Sequence, residues 1–288
     1  MIDTIKIRQL NIDDESNLAS MDTGIEDDYV VRIFQRLIEH QEHALYGLFI
    51  DEQIVAVAGY SVFAEQYAML GRWRSDRRYY GKGHATRLIQ HTIDEVEKLP
   101  GIHWVGANTQ VNNHPALRVL EKVQLPPLKK LHASTLMNPD DIARNPEAKW
   151  TQVKTLKEKR AWIKHVAGDQ STIFPYECYY PFPSSDTLFT DEKLEEWYFF
   201  ENSSRNRVLI VSEDQKKYHY AHAVYLWDDS FEQPGLWDTL LDVYDHIRKK
   251  NDEETYVWID LTDEEKSNIP TNFDFHFQDA WILHGKWL

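Results

Sequence analysis

One short stretch, Tyr80-Gly-Lys-Gly-His-Ala85, constrains this chain more than any other. Gly81, Gly83 and Ala85 stand at every second position, and an apolar helical pattern begins immediately after them. Leu88, Ile89, Ile93 and Val96 recur at helical spacing, and Leu99-Pro-Gly101 ends the run. Upstream, Tyr67 to Ser75 reads as a strand. A strand, a loop of small residues and a helix N-terminus leave uncapped N–H groups pointing outward, where the helix dipole favours negative charge. The same small residues also suit a plain packing turn. From this stretch alone both readings stand.

The flanking pattern narrows the fold. Ile5 and Ile7 alternate with Lys6 and Arg8 as in a half-buried strand, and Val30, Phe34, Leu37 and Ile38 form a helical stripe. The period then changes. Leu45 to Ile50, Ile54 to Phe63 and Tyr67 to Ser75 read as strands separated by turns at Asp51-Glu-Gln53 and Ala64-Glu-Gln66, an antiparallel meander. After the glycine loop come a strand from His103 to Thr109, a helix from Pro115 to Lys122 and a strand from Lys129 to Met137. Residues 139–149 hold two prolines and few apolar residues, so a linker is expected there, between domains at 1–138 and 150–288.

The second half restarts in a similar order: a strand at Thr151–Leu156, a helix at Glu158–Val166, an aromatic, proline-rich loop at Phe174–Pro183, and a helix at Asp191–Asn202 capped by Thr190. A strand pair follows (Val208–Ser212 and Tyr218–Trp227), then a helix from Leu236, a strand at Thr255–Leu261 and a terminal strand region at Phe273–Leu288. Helix start to strand start is 19 residues in both halves, from His84 to His103 and from Leu236 to Thr255. That points to duplication. A counterpart of the strand Tyr67–Ser75 is missing from this reading, and Gln233-Pro-Gly-Leu236 lacks the glycine cradle. The expected class is α/β (α+β): two related domains, each a mixed, mostly antiparallel sheet flanked by helices, with the second degenerate and any phosphate chemistry in the first.

Composition removes several functions. A formal net charge of −15 argues against nucleic acid as a partner, and no apolar run is long enough to span a membrane. The N-terminus lacks a signal-peptide pattern, so a cytoplasmic location is expected. A single cysteine, Cys178, excludes an intrachain disulfide and a thiolate metal cluster. His219 and His222, three apart on a strand, face opposite ways and do not suggest a shared metal. Gly81-Lys-Gly83 followed by Thr86 lacks the third glycine of a dinucleotide fingerprint.

Meander, glycine loop, helix, strand, helix and strand is also the element order of the GNAT superfamily of N-acetyltransferases, and two motifs resemble that family. Its hallmark, Gln or Arg, two residues, Gly, one residue, Gly or Ala, places Gly83 and Ala85 on the small positions and Leu88-Ile89 on the following Leu-Leu pair. Tyr80 departs from Gln/Arg. Independently, Asn113-His-Pro-Ala-Leu-Arg-Val-Leu-Glu-Lys-Val-Gln-Leu125 is similar to the family's Asn-x-x-Ala…Leu-Tyr-Glu-Lys-Leu-Gly-Phe segment, with Gln124-Leu125 replacing Gly-Phe.

The resemblance covers roughly the first half and implies acetyl-CoA as co-substrate. Backbone N–H groups of Gly81, Lys82, Gly83, His84 and Ala85, entered through Tyr80, would cradle the pyrophosphate. Lys82, Arg78 and Arg87 are candidates for further phosphate contacts. Backbone at Trp73, Arg74 and Ser75 would bond the pantetheine arm and polarise the thioester carbonyl, with Asn113 reaching the arm from the other side. The strand Tyr67–Ser75 holds no carboxylate, Glu65 lies in the turn before it, and the family's acid tyrosine position is Leu120. No catalytic residue is therefore assigned. The implied activity is N-acyl, foremost N-acetyl, transfer to a primary amine of a small molecule or peptide by direct attack on the thioester, with the second domain shaping the acceptor site. A non-catalytic acyl-CoA-binding sensor or scaffold is the alternative. Oligomeric state is open.

Overall fold

Apolar alternation between residues 43 and 75 resolves into three strands joined by tight turns. In the computed structural model, which describes residues 4–145 and 148–288, the chain forms two units. Residues 1–128 and 283–288 make the first, and residues 129–282 the second.

In the first unit β1 (Ile5–Gln9) leads through three short helices, α1 (Glu15–Ala19), α2 (Tyr29–Arg32) and α3 (Phe34–Glu39), into the meander β2 (His43–Ile50), β3 (Gln53–Phe63) and β4 (Tyr67–Ser75). The expected stripe at 30–38 is thus two helices meeting at Ile33. Both hairpin turns use residues at positive φ (Asp51 and Glu52, then Ala64 and Glu65); the first is a two-residue loop, which that backbone twist suits, and the second has three residues between its paired ends. Next come α4 (His84–Val96), β5 (Trp104–Gln110) and α5 (His114–Lys122). Period-two alternation sends Tyr46, Leu48 and Ile50 of β2, with Ala68 and Leu70 of β4, towards Leu88, Ile89 and Ile93 of α4. Leu45 and Phe49 point the other way, onto Phe34 and Leu37.

The strand beside β5 comes from the other end of the sequence. The terminal strand Trp281–Trp287 lies beside β5. Leu288 N–H donates to the His103 carbonyl at 2.8 Å and Gly285 N–H to that of Pro126 at 3.0 Å. His284 Nδ1 sits 2.9 Å from the Leu125 carbonyl. A side chain at Gly106 or Gly285 would collide with the fully buried Trp104 ring, so both glycines permit the strand to approach that indole.

In the second unit β6 (Pro127–Leu136) is followed by β7 (Thr151–Val153), α6 (Leu156–Ala167), the hairpin β8 (Ile173–Glu177) and β9 (Tyr180–Pro183), then α7 (Asp191–Glu196) and β10 (Tyr198–Glu201). The unit continues with β11 (Val208–Gln215), β12 (His219–Val224), α8 (Leu236–Arg248), β13 (Thr255–Leu261), α9 (Asp263–Ser267) and β14 (Phe275–Phe277). Its sheet runs β6-β13-β12-β11-β10-β7, with β14 on β6.

Four expectations are corrected here. The aromatic stretch 174–183 is a hairpin, not a loop: Phe174 and Phe182 are paired and fully buried. The helix expected to Asn202 stops at Glu196, because Trp197-Tyr-Phe-Phe200 favours extended backbone, and Tyr198–Glu201 pairs with β11. The missing fourth element therefore exists: β10, β11 and β12 are the counterparts of β2, β3 and β4, and β12 pairs in parallel with β13 as β4 does with β5. Finally, the chain crosses between units at 128/129 and 282/283, not at 139–149.

The presumed linker is instead a strap along α8. Asp140 pairs with Arg248, Arg144 with Asp245 and Lys149 with Asp242, at 2.8, 2.5 and 2.5 Å. Asn145 N–H donates to Asp238, and Trp150 N–H donates to Thr239 Oγ1 at 2.9 Å. Three charged side chains of the segment are thus paired with the helix.

Candidate functional site

β4 and β5 pair only from Tyr67/Trp104 to Leu70/Ala107. Beyond that point β4 continues to Ser75 and β5 to Gln110 without pairing to each other, so the strands part and leave backbone at the opening. β4 also carries a bulge there. Gly71 faces Gly59 but Arg74 faces Val57, so Arg72 and Trp73 together oppose Ala58. Arg72 takes φ of 60°, a left-handed conformation that a bulky residue adopts only when its surroundings impose it.

Those surroundings are polar. Arg72 Nη2 donates to Ser61 Oγ at 2.7 Å, and Ser61 Oγ lies 2.7 Å from His43 Nδ1. Burial, then the charges of Arg72, His40 and Arg36, push His43 down to about 4, so the ring is neutral near pH 7. No sequence pattern marked this trio.

The next residue, Arg74, grips Asp28 through two hydrogen bonds of 2.5 and 2.6 Å, and Asp28 also caps α2 by accepting the Val30 N–H. Burial alone would raise the Asp28 carboxyl, but Arg74 and the Val30 N–H outweigh it and hold it below the usual carboxylate range. Removing one member of a buried pair strands the other. Arg74→Met is expected to lower stability by about 3–5 kcal/mol, read from the urea midpoint.

Asp76, fully buried, organises the approach to the glycine loop. It accepts from Asp22 N–H at 3.3 Å, from Arg78 N–H at 3.0 Å and from the Arg78 guanidinium. Arg78, expected as a phosphate ligand, is therefore committed to Asp76. That ion pair first, and the backbone donors after it, hold the Asp76 carboxyl below its usual range. For Asp28 and Asp76 alike a lowered folded pKa means stability that is present above the unfolded value of about 3.9 and is lost as pH falls through the folded one. Stability is expected to drop below about pH 4, and Asp76→Asn should flatten that drop in urea titrations across pH 2–6.

Gly81 and Gly83 both adopt φ of 79°. A Cβ built on either would meet no atom within 4 Å, so the space above the loop is open. Gly83 is the N-cap of α4 and supplies no side-chain cap, leaving the first-turn N–H groups to face that space. Lys82 rests over the Tyr79 ring at 5.1 Å, Tyr80 is exposed, and His84 begins the helix with Ala85 in its first turn. Burial, with Lys82 and Arg87 nearby, lowers the His84 pKa. Trp73 Nε1 and His84 Nε2 are buried atoms without a hydrogen-bond partner among the described residues. Asn113 caps α5, accepting the Ala116 N–H at 3.3 Å, which leaves its amide NH₂ as the donor. Leu120 is buried in the core and Glu65 is exposed at its turn, so neither stands as an acid or base at the opening.

Residues 7–124 match the acetyltransferase (GNAT) family. This part of the chain is a GNAT acetyltransferase domain. The chemistry that goes with the family is acyl transfer from acetyl-CoA, and the chain is an acyltransferase with acetyl-CoA as co-substrate. No curated protein sequence matches the chain. Among solved structures, a GCN5-related N-acetyltransferase from Sphaerobacter thermophilus aligns over 98% of this chain and 95% of its own, with a TM-score of 0.56 at 16% identity. A candidate acetyltransferase from Pyrococcus horikoshii aligns over 99% and 89%, with a TM-score of 0.55 at 11% identity. Both likenesses are of fold, and both run through the two units.

The GNAT domain's loop fits the cofactor on its own features: open space over two left-handed glycines, an uncapped helix start and two buried nitrogens awaiting partners. The second unit repeats the conformation without the space. Gly235 stands before α8 with φ and ψ of 79° and −4°, against 79° and 7° at Gly83. A Cβ at Gly235 would strike the Ala148 carbonyl. The sequence predicts no cradle there; the backbone turn is present, and the strap fills it.

Proposed function

We propose that the first unit transfers an acetyl group from acetyl-CoA to a primary amine of a small molecule or peptide by direct attack on the thioester. The observation that supports this most is the parting of β4 from β5 at Leu70/Ala107, directly before the bulge at Arg72, on a chain that goes on from β4 into the open glycine loop. Bound acetyl-CoA supplies the activated thioester. Backbone N–H groups of 81–85 would hold its pyrophosphate at the start of α4, with Lys82 and Arg87 as the remaining cations at the loop. Backbone at Trp73, Arg74 and Ser75 would orient the pantetheine arm and stabilise negative charge developing on the thioester oxygen, and the Asn113 NH₂ would donate from the side of β5. The structure offers no carboxylate on β4 to take the amine proton, so water at the opening is the simplest acceptor.

The same lack favours one other reading, an acyl-CoA-binding sensor without turnover. Thiol release from acetyl-CoA with a panel of small amines and peptides separates the two. Turnover with at least one amine is expected; tight acetyl-CoA binding without thiol release from any of them would favour the sensor.

A further inference from the structure

The second unit has a cavity of about 470 Å³ where α7, β8, β10 and the end of β11 meet. Its floor is charged and largely buried. Lys216 Nζ lies 2.9 Å from Glu177 Oε2 and 3.1 Å from Asp214 Oδ1, while Asp214 Oδ2 accepts the Cys178 N–H at 2.7 Å. Groups of this kind are expensive to take out of water, and apolar side chains of equal volume would serve stability as well or better. The rim is different. Lys193, Lys250 and Glu196 line the same cavity, and none of them forms an ion pair among the described residues. Lys193 Nζ stands 6.0 Å above the Tyr176 ring, and Lys250 Nζ donates to Tyr198 Oη at 3.3 Å.

The signs of these charges limit what can enter. Four carboxylates (Glu177, Glu196, Glu213, Asp214) and three lysines (Lys193, Lys216, Lys250) line one space. A plain anion meets repulsion from the first set and a plain cation from the second. A molecule carrying both charges a few ångströms apart meets neither, and the volume falls in the range of small-molecule sites.

We propose that this cavity binds a small zwitterion of the amino-acid type, its carboxylate at Lys193 and Lys250 and its ammonium towards Glu196 and the acidic floor. The site lies wholly within the second unit and stands apart from the acetyl-transfer reading.

Calorimetric titration of the full chain with glycine, L-lysine and L-glutamate tests it, with acetate and methylammonium as the two half-ligands at matched ionic strength. Saturable binding of at least one amino acid is expected, with neither half-ligand saturating in the same range. The double substitution Lys193→Met, Lys250→Met alters a half-buried and an exposed rim side chain and should weaken that binding about tenfold or more, with acetyl-CoA affinity unchanged. The proposal is overturned if no amino acid binds, if acetate or methylammonium binds as tightly, or if the double variant binds the amino acid as before, which would place the ligand elsewhere.

Discussion

Residues 1–138 expressed alone are expected not to fold, although they contain the whole family match. The strand beside β5 is made by residues 281–287, and without it the Trp104 indole loses the cover that Gly106 and Gly285 let in. Leu283, buried on the same strand, goes with it, as do the hydrogen bonds to His103, Leu125 and Pro126. Burial of one large side chain is worth about 1.5–3 kcal/mol, so exposing this group consumes much of a typical margin of about 5–15 kcal/mol. The β5 edge is also left as an open template for aggregation. Circular dichroism and gel filtration of the fragment check this. Adding residues 281–288 as a synthetic peptide should restore a cooperative melting transition; a fragment already monomeric and cooperative without the peptide refutes the expectation.

Gly83→Glu is expected to weaken acetyl-CoA binding by about 100-fold or more. It puts a carboxylate into the open space in front of an uncapped helix start, where the dipole and free N–H groups would otherwise meet phosphate. At φ of 79° any side chain also carries left-handed strain of about 1–2 kcal/mol, so a melting temperature a few degrees lower should accompany the loss without unfolding. Gly83→Ala separates the two effects, since it shares the strain and adds no charge. Calorimetric affinity should fall far less for alanine than for glutamate. Unchanged affinity in the glutamate variant removes the loop from the cofactor site.

The meander was legible because alternation is a local signal, and the strand Tyr67–Ser75 has its expected limits. The loop and α4 were legible for a similar reason, since glycine spacing and a helical stripe lie within one turn of each other. What failed is what local pattern does not carry. Thr190 and the acidic residues after it announce a helix start so strongly that the change to extended backbone at Trp197 went unread, although four consecutive aromatics were the clue. Prolines at 175, 181 and 183 suggested a loop, yet a two-stranded hairpin tolerates them. Strand partners are chosen by tertiary packing, so β6 and the terminal strand looked like members of the halves in which they stand. At the site, Arg74 meets an aspartate 46 residues away, and the Arg72–Ser61–His43 contacts join three strands; neither leaves a trace in spacing. The glycine at 235 misleads in the opposite direction, because it preserves a backbone turn after the strap has taken the space.

The late position of the strand beside β5 has a consequence for synthesis. A ribosome delivers the chain from its N-terminus at about 5–20 residues per second, and residues 129–282 must all emerge after β5 and α5 before residue 283 appears. For roughly ten to thirty seconds the nascent first unit presents β5 with one side unpaired. The cofactor-binding half therefore completes its sheet only after the second unit has been made, and that unpaired strand is where a chaperone would have most to protect.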